Sequence, residues 1–281
     1  LDFIKFMPFG LYTTVDYGID LDVFPGFNTP PVAHKPLVEK VEDWDGIRFM
    51  SGTEGEYAIV LEAQRILSTM TEERVPFLQT VFSPMTTAAK MCSPETLVKH
   101  IAQDPVRVHR VLEMITAATL RFVKASLSLG ADGFYFATQM STTDVIDRAT
   151  HEAFVKHYDL QVLNAVRGAT WFNVLHIHGA NAMLRDMQDY PVQALSWHDR
   201  DDGPSMDEVR TYSDKVFIGG MSWGKNWLGK TDAEVVAEVR EVAARQGGKG
   251  IILGPGCIID PATPPERLDL VRKTVLELAR G

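Results

Sequence analysis

Two histidines one residue apart, and one cysteine much further along, are the residues of this chain best suited to chemistry. The histidines close the apolar run Phe172-Asn173-Val174-Leu175-His176-Ile177-His178-Gly179. The cysteine closes a second run, Ile251-Ile252-Leu253-Gly254-Pro255-Gly256-Cys257. Strand side chains alternate faces, so His176 and His178 are expected to point the same way. Imidazole and thiolate are zinc ligands, and a catalytic zinc commonly keeps three protein ligands and one open position. Spaced two apart, the histidine Cβ atoms lie roughly 7 Å from each other along an ideal strand. Gly179 permits the bend that would bring both rings to one ion, and Gly256 lets Cys257 turn inward. Such a site needs a thiolate and neutral imidazoles, so occupancy is expected to fall below the histidine pKa. Without metal, the same histidines could exchange protons near neutral pH.

A third short apolar run ends in Trp197-His198-Asp199. His198 is expected to face substrate or support the pair, and Asp199 to orient a histidine. Tyr135, Gln139, Trp197 and Trp223 are expected to join Asp199 as walls of a small-molecule pocket.

These residues come together only if their strands share one rim. Strands are expected at Phe3–Met7, Val75–Val81, Gly133–Ala137, Thr170–Ile177, Gln193–Trp197, Val216–Gly219 and Ile251–Leu253. Apolar spacing predicts a helix over Glu54–Met70, with Ile59, Ala63, Ile66 and Leu67 inward. Further helices are expected up to Gln103 and over Pro105–Leu129, Thr150–Val166, Ala180–Gln188, Ser205–Tyr212, from Thr231 to Arg245, and from Thr263 onward. Ser93-Pro94, Ser205 with Glu208, Thr231 with Glu234, and Thr263 with Glu266 read as helix starts. Continuous apolar strands alternating with helices imply a parallel sheet covered on both faces. The expected fold is α/β, a distorted (β/α)8 TIM-type barrel, as a single domain over residues 1–281. A doubly wound open sheet is the alternative; no G-x-G-x-x-G follows a strand, which argues against a dinucleotide ligand. In a barrel the working residues sit at the C-terminal strand ends, as His176, His178, His198 and Cys257 do. The chain opens inside the apolar run Leu1 to Met7 without an initiating methionine, so a preceding segment is expected to lie outside it.

The bulk properties exclude several classes. The 281 residues are 45% hydrophobic and 23% charged, with formal net charge −9. No basic, aromatic-interleaved tract is present, which argues against nucleic acid. No apolar run reaches membrane-spanning length. Two cysteines, Cys92 and Cys257, are too few for a disulfide framework and point to a reducing, cytoplasmic setting.

The ordered motifs Thr80-Val81-Phe82-Ser83-Pro84, Gly130-Ala131-Asp132-Gly133, Leu175-His176-Ile177-His178-Gly179, Gly254-Pro255-Gly256-Cys257 and Thr263-Pro264-Pro265-Glu266 resemble the uroporphyrinogen decarboxylase superfamily. The resemblance covers nearly the whole chain and implies a distorted (β/α)8 barrel. It also implies one of two activities. One branch decarboxylates porphyrinogen acetate arms without a cofactor. The other comprises zinc-dependent methyltransferases that move a methyl group between a corrinoid and a thiol or other acceptor. The decarboxylases carry a catalytic Asp near the end of the first strand seen here, where this chain has Lys5-Phe6-Met7-Pro8, and a His where it has Cys257. The methyltransferases carry His-x-Cys and a later Cys. His176 and Cys257 match that pattern, and His178 stands in place of the first Cys. The resemblance thus implies zinc on His176, His178 and Cys257. The corrinoid (cobalamin) would come from a partner protein, because no D-x-H-x-x-G signature is present. A carboxy-lyase and a non-catalytic binding barrel are the alternatives.

Overall fold

Strands without polar alternation need cover on both faces, and a parallel sheet wrapped in helices provides it. A computed structural model describes residues 3–26, 29–70, 75–245, 247 and 249–279 of the chain. Leu1 and Asp2 of the opening run lie outside the described residues. Seven strands pair in chain order: β1 Ile4–Phe6, β2 Phe77–Phe82, β3 Gly133–Thr138, β4 Val174–Ile177, β5 Ala194–Ser196, β6 Val216–Met221 and β7 Ile251–Pro255. Every pairing is parallel. The result is an α/β fold, a curled parallel sheet of TIM-barrel type. Among the described residues β1 and β7 do not pair with each other, so the curl stays open.

The register sorts side chains into two layers. Tyr135, Val174, Ala194 and Val216 form one row, and Ala137, His176, Ser196, Ile218 and Ile252 form the next. Leu78, Tyr135, Phe172, Val174, Ala194 and Ile218 fill the inside of the curl. The alternate residues Phe134, Phe136, Leu175, Ile177, Leu195 and Phe217 pack outward on Leu163, Val166, Val209 and Val242 of the surrounding helices. β2 and β3 are buried along their full lengths, as a two-sided cover requires.

Most helices lie where expected, with local differences. Gly55–Met70 is helical, but Tyr57, Val60, Leu61 and Gln64 face inward. Ile59 is 63% exposed and Ile66 44% exposed. The face is set by Tyr57 meeting Tyr12 and Phe122, a tertiary contact that helical spacing alone does not reveal. The segment expected as a helix over Ala180–Gln188 forms only a 3₁₀ turn, Leu184–Met187. The expected helix over Thr150–Val166 begins at Arg148 and passes through a π turn at His151–Lys156. Ser93 and Ser205 cap as expected, and Thr231 and Glu234 bond reciprocally. The last helix, Pro265–Leu278, instead follows Pro264 without a side-chain cap, and the Thr263 hydroxyl has no partner. Between Pro8 and Pro36 lie one helical turn, Tyr12–Val15, and two short antiparallel strands, Leu21–Asp22 and Val32–Ala33. Among the described residues no helix is long and apolar enough to cross a membrane.

Candidate metal and substrate site

Two strand ends and one glycine turn converge at the C-terminal side of the sheet. Ligand atoms of His176, His178, His198 and Cys257 all lie within 4.8 Å of one another. Ligands 2.0–2.3 Å from a tetrahedral zinc are about 3.3–3.6 Å apart, so modest side-chain rotation would close the group on one ion. His178 Nδ1 and Cys257 Sγ are already 3.8 Å apart. Two glycines make the approach possible. Gly179 has φ of 105°, which ends β4 in a sharp bend. A Cβ on Gly256 would stand 3.0 Å from His198 Cα and 3.1 Å from the Trp197 carbonyl oxygen. Only a residue without a side chain lets the Cys257 turn come this near β5.

Each buried histidine has its far nitrogen engaged. His176 is in register with Ser196, and its Nδ1 lies 3.1 Å from Ser196 Oγ. The Tyr135 hydroxyl donates to that same Oγ over 2.9 Å. Nε2 is thereby left for the cluster. His198, 1% exposed, sets Nδ1 2.5 Å from Asp202 Oδ2, while its Nε2 is buried with no hydrogen-bond partner. A carboxylate behind one nitrogen and an orphaned second nitrogen among soft donors is the arrangement of a metal-binding histidine. His178 is half-buried. Its ring meets that of His198 edge-on at 4.6 Å, and Trp223 lies 4.6 Å from His198 and 5.8 Å from His178.

Burial governs the protonation of these groups. It holds His176 well below the ordinary histidine range, helped by Lys5, His198 and His178. Burial and His198 bring His178 down to about 4. Burial pushes the Cys257 thiol up, and Lys5 tempers that rise. His176 and His178 are therefore neutral at neutral pH and ready to ligate. The proton that a metal would have to displace there belongs to Cys257, not to these two histidines as their unperturbed pKa suggested.

The other expected residues divide. Tyr135 lies within the curl, its ring 5.6 Å from that of His176, and Trp223 stands beside two histidines. Gln139 is half-buried at the end of β3, its backbone N–H held by Thr86 Oγ1 over 2.9 Å. Trp197 faces the other way. It is fully buried on the outer layer, edge-on to Phe217, and its Nε1 donates to the Pro204 carbonyl. Strand alternation explains the miss: His198 points inward, so its neighbour cannot. Asp199 also points away, accepting the Gly220 N–H at 3.1 Å and bracing β5 against β6, with burial raising its pKa to about 6. Asp202 orients the histidine instead.

Four residues escaped the sequence reading. Ser196 precedes His198 by two, so alternation places it on the same face. Asp202 follows His198 by four. Lys5 interrupts an apolar strand, a signal in itself, whereas Lys90 on the helix Pro84–Met91 gave none. Asp202 also borders a polar cleft of about 390 Å³ with Arg148, Arg185, Glu208 and Tyr212. Another cleft of about 640 Å³, on the outer helices near His109 and Asn164, contains none of the clustered residues.

Comparison with known proteins agrees with this architecture. The methylcobamide:CoM methyltransferase MtaA of Methanosarcina barkeri is 27% identical over 211 residues, 74% of this chain and 60% of that protein. The chain thus spans about 60% of the length of the curated relatives it matches first. The uroporphyrinogen decarboxylase of Thermus thermophilus is 24% identical over 291 residues, covering 95% of this chain and 77% of that protein. A solved methyltransferase from Methanosarcina mazei has the same fold, with a TM-score of 0.83 at 23% identity over 99% of this chain and 81% of that one. The family model described as uroporphyrinogen decarboxylase (URO-D) matches residues 6–278. That match runs from the end of β1 to the last helix and takes in all four clustered side chains, so the chain belongs to the URO-D family.

Proposed function

We propose that this chain is a zinc-dependent methyltransferase, moving a methyl group between a corrinoid on a partner protein and a thiol or similar acceptor. One observation carries the reading. Three imidazoles and a thiol gather at the catalytic rim of a barrel, and one buried imidazole nitrogen has no protein partner. Similarity to methylcobamide:CoM methyltransferases supports the choice of reaction. Zinc held by three of the donors His176, His178, His198 and Cys257, with the fourth position left to an acceptor, would supply a Lewis acid that favours the thiolate form of that acceptor.

The protein's own groups have separable tasks in this reading. Asp202 and Ser196 hold the rings of His198 and His176 so that each Nε2 faces inward. Tyr135, whose pKa burial raises, stays protonated and keeps Ser196 in place. His178 and Cys257 are the half-exposed members, so an acceptor approaches along them. Trp223 shields that approach from water. With one thiolate and neutral imidazoles the zinc set would carry net charge about +1, which favours anionic acceptors. Decarboxylation of an acidic substrate is the alternative within the family. It finds no carboxylate at Lys5-Phe6-Met7-Pro8.

Metal analysis tests the proposal. Freshly purified or zinc-reconstituted protein is expected to hold one zinc per chain, and Cys257→Ala to lose most of it. Stoichiometric zinc of unchanged affinity in Cys257→Ala, or none in reconstituted wild type, would overturn the reading. The second outcome would assign His176 and His178 to substrate protons, as in the decarboxylase alternative.

A further inference from the structure

The turn that carries Cys257 is gripped on both sides by the loop that follows β6. The Gly256 N–H donates to the Met221 carbonyl at 3.1 Å, and the Gly224 N–H donates to the Ile258 carbonyl at 2.7 Å. Gly224 also bridges Ile259 in parallel register. Between those two grips along the chain comes Trp223, whose ring lies beside those of His178 and His198. Where this loop sits therefore decides where the thiol sits.

The loop has two anchored ends and a tip. At its base the Gly220 N–H donates to Asp199, and the Gly220 carbonyl accepts Arg200 Nε at 2.9 Å. Ser222 Oγ donates to the buried Glu238 at 2.9 Å. At the far end Trp227 is fully buried with Met221 and Val235, and the Leu228 carbonyl accepts Arg267 Nη1 at 2.9 Å. The tip between them is tied to β5 by Asp201. Asp201 Oδ2 accepts the Trp223 N–H at 3.1 Å, and Oδ1 accepts Asn226 Nδ2 at 2.8 Å. The next residue, Asp202, holds His198. Consecutive carboxylates of one turn thus hold the imidazole and the loop that grips the thiol's turn. Among the described residues no hydrogen bond runs directly between residues 256–258 and residues 197–203.

We propose that Asp201 is a positioning residue for the cluster: by holding the tip of the Trp223 loop, it fixes the distance of Cys257 from His178 and His198. The proposal rests on the methyltransferase reading only for what Cys257 then binds. Two bonds to one half-buried carboxylate are charge-assisted and hold the tip in a single place. The base and the far end have anchors of their own, so loss of Asp201 frees the tip and leaves the fold.

Thiol reactivity and cobalt absorption test this, both in a Cys92→Ser background with thermal unfolding as the check on folding. In metal-free protein, Cys257 attacks the disulfide of dithiobis(nitrobenzoate), forming a mixed disulfide and releasing coloured thionitrobenzoate. Asp201→Ala should react at least about tenfold faster, the effect of one lost charge-assisted hydrogen bond on the population of an open loop. In cobalt(II)-loaded protein, Asp201→Ala should weaken the thiolate-to-cobalt charge-transfer band. Asn226→Ala, which removes one of the two bonds, should shift both readouts the same way by less. Asp201→Asn combined with Asn226→Asp exchanges donor and acceptor, keeps the Trp223 N–H bond, and should restore both. Wild-type thiol reactivity in Asp201→Ala and Asn226→Ala, or a change that the double variant does not reverse, overturns the proposal. A faster, rescued thiol reaction in a protein that takes up neither cobalt nor zinc upholds the positioning role and overturns the methyltransferase reading. Stoichiometric metal with a thiolate band and thiol reactivity both indifferent to Asp201 does the reverse.

Discussion

Replacing Asp202 by Asn isolates the electrostatic support behind His198. The carboxylate lies 2.5 Å from Nδ1, its side chain one-third exposed and the imidazole 1% exposed. Asn can accept the same N–H bond, so ring orientation survives and only the negative charge is lost. A positive charge held at Nε2 would lie about 6 Å from that carboxylate. At an effective dielectric of 20, the two interact by about 3 kcal/mol. Exposure of Asp202 screens roughly half of this, leaving about 1.5 kcal/mol, or about tenfold in affinity. That falls within the 10–100-fold range typical of a partner behind a metal-binding histidine. The assay is competition for zinc against a chromophoric chelator at fixed pH and salt, with thermal unfolding of the metal-free proteins as control. Asp202→Asn is expected to bind zinc about tenfold more weakly, and His198→Ala more weakly still. The metal-free Asp202→Asn protein should melt close to wild type. If both variants held zinc as tightly as wild type, His198 would not be a ligand, and its orphaned nitrogen would need another explanation.

Other outcomes follow from the protonation of buried groups. Zinc affinity should rise with pH across neutrality, by about tenfold per unit for each proton displaced, because the Cys257 thiol must ionise. His176 and His178, held low by burial, add to that slope only in acid. Cys257→Ala should therefore lose one proton's worth of slope in the residual binding, and a slope equal to wild type would exclude the thiolate. A second carboxyl, Asp159, is fully buried, accepts the Tyr190 hydroxyl at 3.1 Å and has an orphaned Oδ1. Burial raises its pKa to about 7. A folded-state pKa above the unfolded one makes a contribution that is fully present in acid and lost as pH rises from about 4 through 7. Asp159→Asn should accordingly gain about 2–3 kcal/mol over wild type between pH 5 and pH 8, measured by denaturant unfolding. A difference independent of pH would show that Asp159 ionises as freely when folded as when unfolded.

Much of this molecule is written in local pattern. Apolar runs without alternation specified buried parallel strands, because such segments cannot leave one face in water. The two-residue spacing of His176 and His178 put both on one face before any fold was assumed, and Gly179 and Gly256 marked where the backbone must turn. Strand ends alone placed His198 and Cys257 near them. Alternation also contained the information that Trp197 and Asp199 point away from His198, and that Ser196 points with it. What sequence spacing could not supply was pairing across the sheet. Ser196 meets His176 because β4 and β5 share a register. Lys90 bonds the Gly10 carbonyl because the helix after β2 sits beside the loop after β1. The buried face of Gly55–Met70 was likewise decided by Tyr12 and Phe122, residues far away in sequence. The protonation of the site belongs to this same class. An imidazole in an isolated strand titrates normally, and only enclosure by the barrel removes the water that would solvate its charge.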